Sequence, residues 1–304
     1  MENMEDMYSC DTDMALEYVE IINDLGQSVV LTNSPPFVLT GIEGVGGVGC
    51  NIYTQKSPFQ HGETYLGHNL DIRNISLQID IVAQDMQEMV YLRQQLVSTL
   101  NTALGQCKIR YTLGGQTKVI HGKVEKGPEF IYNNNFLDSI QTALVEIYCA
   151  DPLWYDEHEN NVEMADWIGG LTFPTTLPMN FAGRSTKSHT VVENNGNIET
   201  PIRFTFSGPC KNPQIKNGDT GEFIKVNTTI QENELLEVTT GAGTHTIQLL
   251  NLSTGQISNA MHLIDLESTF FQLKPGKNLI SYTADEGKER AKVRVYWTNR
   301  YVGV

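Results

Sequence analysis

The chain is 304 residues long and acidic, with 21 Lys and Arg against 36 Asp and Glu and a formal net charge of −15. That balance lacks the concentrated basic stripe needed to wrap nucleic acid, and it disfavours docking on anionic lipid. Charged residues make up 19% and apolar ones 40%, with 26 glycines, which fits a β-rich globular protein of two domains and not a disordered or coiled-coil chain.

The acid is unevenly placed. Residues 1–152 hold 8 basic and 19 acidic side chains, a net of −11, and residues 153–304 hold 13 and 17, a net of −4. The first 24 residues carry 8 acidic side chains and no Lys or Arg, and read as a solvated tail. The start, MENMEDMYSCDTD, lacks the basic and apolar stretches of a signal peptide. No apolar run is long enough to span a bilayer, so folding in a reducing cytoplasm without membrane insertion is expected.

Between Pro35 and Gly67 lies a stretch without strong periodicity, marked by Pro35-Pro36, Ser57-Pro58 and glycines 41, 44, 46, 47, 49 and 62. A loop of this length in a compact domain is usually a functional loop or an extended arm. Its 50–53 portion suits one side of a projecting hairpin. Gly44, Gly46 and Gly49 spell a literal GxGxxG, but β-leaning residues follow where a dinucleotide site needs a helix, so a turning loop is the better reading.

Residues 74–82 alternate, with Ile75, Leu77, Ile79 and Ile81 on one face, which predicts a strand. From Asp85 to about Ala103 the period changes. Met86, Met89, Val90, Leu96, Val97, Leu100 and Leu104 recur at spacings of three and four, predicting one helix that presents them to a core, with Asp85 as its cap. Alternation returns at 108–113 and 141–149, where Cys149 falls among apolar residues and should be a buried thiol. Asp151-Pro152 ends that strand. These elements predict an α+β or β-barrel arrangement with a flanking helix over 1–153, not βαβ repeats, after which 154–187 reads as a linker. From 188 to 304, short segments recur at 189–192, 202–206, 223–226, 235–239, 246–250, 262–264, 270–273, 278–282 and 292–297, separated by turn residues. This is the pattern of a two-sheet β-sandwich.

No local signature of catalysis stands out. Five scattered cysteines without a CxxC pair argue against a disulfide scaffold or structural zinc. Seven histidines form no HxH, HExxH or HxxxH spacing, and GxSxG and phosphate-cradle motifs are absent from the sequence. The acidic run Asp156, Glu157, Glu159, Glu163 could hold a carboxylate pair, but solvated linker acids are the commoner case. No catalytic residue, metal or cofactor is therefore expected.

The order of turn residues along nearly the whole chain resembles the distal tail protein (Dit) family of siphovirus-type bacteriophages. The resemblance runs through the 19–31 start, Pro36-Phe37-Val38-Leu39, Gln60-His61-Gly62, the 75–82 strand running into Asp85-Met86, and Asp151-Pro152-Leu153-Trp154. It continues through Asn194-Asn195-Gly196-Asn197, Thr200-Pro201, Asn212-Pro213-Gln214-Ile215, Thr220-Gly221-Glu222, Pro275-Gly276-Lys277-Asn278 and Trp297-Thr298-Asn299-Arg300-Tyr301. It implies a tail-tube-like split β-barrel with one flanking helix, then a galectin-like or carbohydrate-module β-sandwich, the last strand returning toward the first domain in some members. It further implies a hexameric ring at the tail tip that meets the tube protein, the tape measure and the baseplate hub or tail-associated lysin. DNA would pass through without specific binding. The long loop would act as an arm between subunits, with Gly44, Gly46, Gly49, Tyr53, Phe59, His61 and Tyr65 as its candidate residues. An adhesin whose sandwich binds host cell-wall glycan is the alternative.

Overall fold

The structure, a computed structural model, describes residues 16–131, 139–164 and 189–304, and the backbone alone of two short strands between 165 and 188. The acidic segment before residue 16, Cys10, Pro174 and Pro178 lie outside the described residues. The chain divides into two units: Met1–Glu157 together with Tyr301–Val304, and His158–Arg300.

Unit 1 contains β1 (Glu17–Ile22), β2 (Ser28–Leu31), β3 (Phe37–Glu43), β4 (Cys50–Gln55), β5 (Thr64–Leu70) and β6 (Arg73–Val82). Helix α1 (Met86–Thr99), β7 (Cys107–Leu113), β8 (Gln116–Phe130), β9 (Ile140–Cys149) and β10 (Trp154–Asp156) follow. The main sheet runs in the order β2-β1-β7-β8-β9-β6-β3. It curls into a split barrel because its two ends are bridged. The Thr32 N–H donates to the Phe37 carbonyl at 3.2 Å and the Leu39 N–H to the Thr32 carbonyl at 2.7 Å. β8 pairs β7 with its first half and β9 with its second, and β10 also pairs it through Tyr155 opposite Val119; register shifts after Val124 and Lys126 bend it. The β7–β8 turn is Gly114-Gly115, both with positive φ, as a tight hairpin turn of the primed kind requires.

Ile75, Leu77, Ile79 and Ile81 of β6 are buried as their alternation dictates, and they meet Val19, Ile21, Ile109, Val145 and Ile147 in one core. Helix α1 lies against this core. Asp85 accepts a hydrogen bond from the Glu88 N–H at 2.8 Å, while Glu88 reaches back to the Gln84 N–H at 2.6 Å. The first bond satisfies a donor that the first turn leaves open, and the second ties the residue before the cap back to the helix. The helix ends at Thr99, several residues before the expected stop, and it does not bury the whole predicted stripe. Met89, Leu92, Leu96 and Leu100 are buried, whereas Met86, Val90 and Val97 are close to half exposed. At about 100° per residue these three sit on a flank turned away from the core-facing residues.

Unit 2 opens with β11 (Asn160–Glu163), β12 (Asp166–Ile168) and β13 (Gly183–Ser185). β14 (His189–Asn194), β15 (Ile202–Ser207), β16 (Cys210–Lys211), β17 (Gln214–Asn217), β18 (Phe223–Lys225) and β19 (Thr229–Ile230) come next. β20 (Glu234–Thr239), β21 (Thr246–Asn251), β22 (Ile257–Asn259), β23 (Gly276–Thr283) and β24 (Lys292–Trp297) complete it. A six-stranded sheet, β11-β24-β15-β20-β21-β22, and a four-stranded sheet, β14-β23-β17-β18, enclose a second core. That core holds Phe204, Phe206, Ile215, Leu236, Val238, Ile280, Val293 and Val295, so the unit is a β-sandwich. Two expected strands are absent. Met261–Leu263 forms a 3₁₀ turn in place of the expected 262–264 strand, with Ile264 bridging only Val226, and 270–273 contributes a single bridge, Thr200 to Leu273. Apolar residues over three or four positions do not by themselves separate a turn from a strand.

Candidate assembly arm and its root

β4 and β5 stand apart from the barrel sheet. They pair with each other, from Cys50 opposite Leu70 to Gln55 opposite Thr64, and with no other described strand. Nearly every residue of both is exposed. Ile52, Tyr53, Tyr65 and Leu66 lie bare to solvent, and Phe59 at the tip is fully exposed. The register shifts after Tyr53, so that one face carries Cys50, Ile52, Tyr65, His68 and Leu70.

The tip is closed by its own polar groups. The Gln60 N–H donates to the Ser57 carbonyl at 3.1 Å, and the Ser57 N–H donates to the Gln60 side chain at 3.0 Å. Gln60 Nε2 donates to Thr64 at 2.9 Å. This turn holds Phe59 at a φ of +63°, a conformation unfavourable for a bulky residue. His61 lies two residues beyond Phe59 and is exposed. The Tyr65 hydroxyl hydrogen-bonds His68 Nδ1, and Asn69 Nδ2 donates to the Tyr53 hydroxyl at 3.4 Å.

At the root the chain is packed tightly. Gly44 has a φ of +87°, and a Cβ there would lie 2.0 Å from the Asn74 carbonyl oxygen, so only glycine fits. The Gly49 carbonyl accepts from the Asp71 N–H at 2.9 Å, closing the base of the hairpin. Arg73, at the start of β6, is 2% exposed. It donates through Nη1 to the carbonyls of Gly44 and, at 2.7 Å, Gly46. Its Nε donates to the Pro152 carbonyl at 2.7 Å, and Nη2 donates to the Val302 carbonyl. Its guanidinium faces the buried Trp154 ring, 5.8 Å from the centroid. Burial pushes the Arg73 pKa down.

All seven expected arm residues therefore lie on one hairpin or its root: Gly44, Gly46 and Gly49 at the base, Tyr53 and Tyr65 along it, Phe59 and His61 at the tip. The glycine run leads into strand β4, not into a helix. Arg73 went unnoticed in the sequence, because a lone Arg at the start of an alternating strand reads as a solvated end residue. Its one visible signal is position, since Arg73 is in phase with the apolar face of Ile75, Leu77 and Ile79. Cys50 sits exposed at the arm's base, whereas burial pushes the Cys149 thiol up to about 12 and the Cys107 thiol up to about 11. Among the described residues no three His, Cys, Asp or Glu side chains gather closely enough to hold a metal. No described helix is long and apolar enough to cross a membrane.

The two halves of this architecture, a barrel and a sandwich, each match a family model of phage tail proteins. Residues 25–149 match the family model described as a phage tail protein RIFT-related domain, and residues 195–301 match that of a siphovirus-type tail component, C-terminal domain. The chain belongs to the distal tail protein family of siphovirus-type bacteriophages, structural proteins of the distal tail and baseplate and so of the virion. The crystal structure of phage SPP1 Dit (gp 19.1), described as a paradigm of the hub adsorption apparatus in phages infecting Gram-positive hosts, is similar in fold. It aligns with a TM-score of 0.65 at 16% identity, over 93% of this chain and 98% of that one. A chain of the phage P2 baseplate in its activated conformation with Ca aligns with a TM-score of 0.50 at 11% identity, over 95% and 99%. No curated protein matches the sequence.

Proposed function

We propose that the protein closes into a hexameric ring at the tail tip, each copy clasping its neighbour with the β4–β5 arm. The observation that carries this is the hairpin itself. An isolated two-stranded hairpin is marginal in water, and one that leaves Ile52, Tyr53, Phe59, Tyr65 and Leu66 bare needs a partner to cover it. Both of its long edges also offer backbone groups for pairing across subunits. A heterologous contact of this kind closes into a ring by rotation. One face of the ring would meet the tail tube protein and the tape measure, the other the hub or tail-associated lysin, after assembly in the host cytoplasm. DNA would pass through, and the acid excess of the first half would keep phosphate from binding the wall. A passage that proves neutral or basic in a structure of the ring would overturn that last point.

Replacing residues 50–70 by a short Gly-Ser link tests the ring. The expected product is a folded monomer by light scattering and circular dichroism. A product that still runs as a hexamer would reject the arm.

The adhesin reading has one observation of its own, a cavity of about 720 Å³ in unit 2 lined by Lys211, Gln231, Glu286, Lys288 and Arg290 among others. These side chains could hydrogen-bond a sugar, but no aromatic ring lines the cavity to stack on one. Retention of the purified protein on host cell walls, and its loss in Gln231→Ala, would favour this reading; no retention would end it.

A further inference from the structure

The arm is bare, but its root is held by parts of the chain far away in sequence. Arg73 binds the carbonyls of Gly44 and Gly46 on one side and that of Val302, 229 residues further on, on the other. The Val304 N–H donates to the Val45 carbonyl at 3.1 Å. Gly303 lies flat against Gly46, and a Cβ on it would come within 2.6 Å of the Gly46 carbonyl carbon. Just before this, Tyr301 is itself fixed. Lys118 Nζ sits 3.8 Å from its ring centroid and 2.6 Å from Asp156. Burial works against the Lys118 charge, but Asp156 and Tyr301 more than offset it and raise its pKa.

Buried charge is usually matched by opposite charge. Arg73 instead spends its donors on backbone carbonyls from three separate segments: 44–46, Pro152 and Val302. Such an arrangement adds little to a core that an apolar residue of similar length could fill. What it does fix is direction, because a planar guanidinium holds its acceptors in set positions.

We propose that Arg73 and the 302–304 segment form a latch that sets the direction in which the arm leaves the barrel. Arg73 is a positioning residue that acts on the partner contact through the backbone at 44–46. The inference rests on the arm reading above and deepens it by naming what aims the arm.

Two variants of the full chain test it independently. Arg73→Met keeps the length and the packing on Trp154 but removes the donors. Gly303→Val leaves Arg73 in place and pushes the terminal segment off Gly46. Hydrogen exchange, measured on dilute monomer, reads the amides of Asp71 and Val304 that close the root. Both variants are expected to exchange about tenfold faster there, with 75–81 unchanged, and to need about tenfold more protein to assemble. Arg73→Lys, with a single point charge, should recover only part of the protection. Unchanged exchange at Asp71 and Val304, or an equal rise across 75–81, would overturn the latch. A loosened root with assembly at wild-type concentration would overturn its role in aiming the arm. If instead the 50–70 deletion still forms rings while both variants loosen the root, the arm reading fails and the latch survives as a local device.

Discussion

The β4–β5 arm and strand β6 are separated by two residues, yet they are held by different physics. β6 pairs on both sides and buries every second side chain between sheet and helix. The arm pairs only with itself and buries almost nothing. Both are β-structure with apolar residues, so alternation alone does not decide stability. What decides it is whether a second layer lies against the apolar face. In β6 that layer is present within one molecule. In the arm no such layer is present among the described residues, and on the proposed reading a neighbouring copy supplies it.

The comparison breaks most visibly with one truncation made in each region. Ile79→Ala should cost the monomer about 3 kcal/mol in denaturant unfolding, because it empties a site at 0% exposure. Ile52→Ala should change monomer stability by less than about 0.5 kcal/mol and act on assembly instead. An Ile52→Ala cost comparable to that of Ile79→Ala would mean that the arm folds back onto its own barrel. The latch variants fall between these two, loosening the root without touching the core. The smallest effect is expected at Phe59. Asn tolerates the left-handed region better, so Phe59→Asn should stabilise the monomer by about 0.5 kcal/mol in a melt while weakening assembly. A destabilised monomer would show that the φ of +63° at Phe59 carries no strain.

The barrel strands and the start of the helix are legible in the sequence because they obey local rules. The 75–81 alternation, the period change after Asp85 and the Asp85 cap each follow from neighbours within a few residues. The arm is legible for the opposite reason, as a long interval of glycines and prolines where no period holds. The errors come where distance matters. The register of a helix against its sheet decided that Met86, Val90 and Val97 stay exposed, and a spacing of three and four does not carry that information. The burial of Arg73 depends on residues beyond 300, which no window along the chain can see. In unit 2, the segments at 262–264 and 270–273 are apolar enough for strands but find no continuous partner.

The sequence distance across the Arg73 latch has a consequence in time. Residues 44–46 leave the ribosome early, and the carbonyl and amide at 302 and 304 that complete their root leave it late, after all of unit 2. Until then the arm can exist but has no fixed aim. A chain broken off within unit 2 would carry an arm without its latch, and such a fragment would compete poorly for a place in the ring. If the arm closes the ring as proposed, the late contact at 302–304 would favour chains whose second unit has been made.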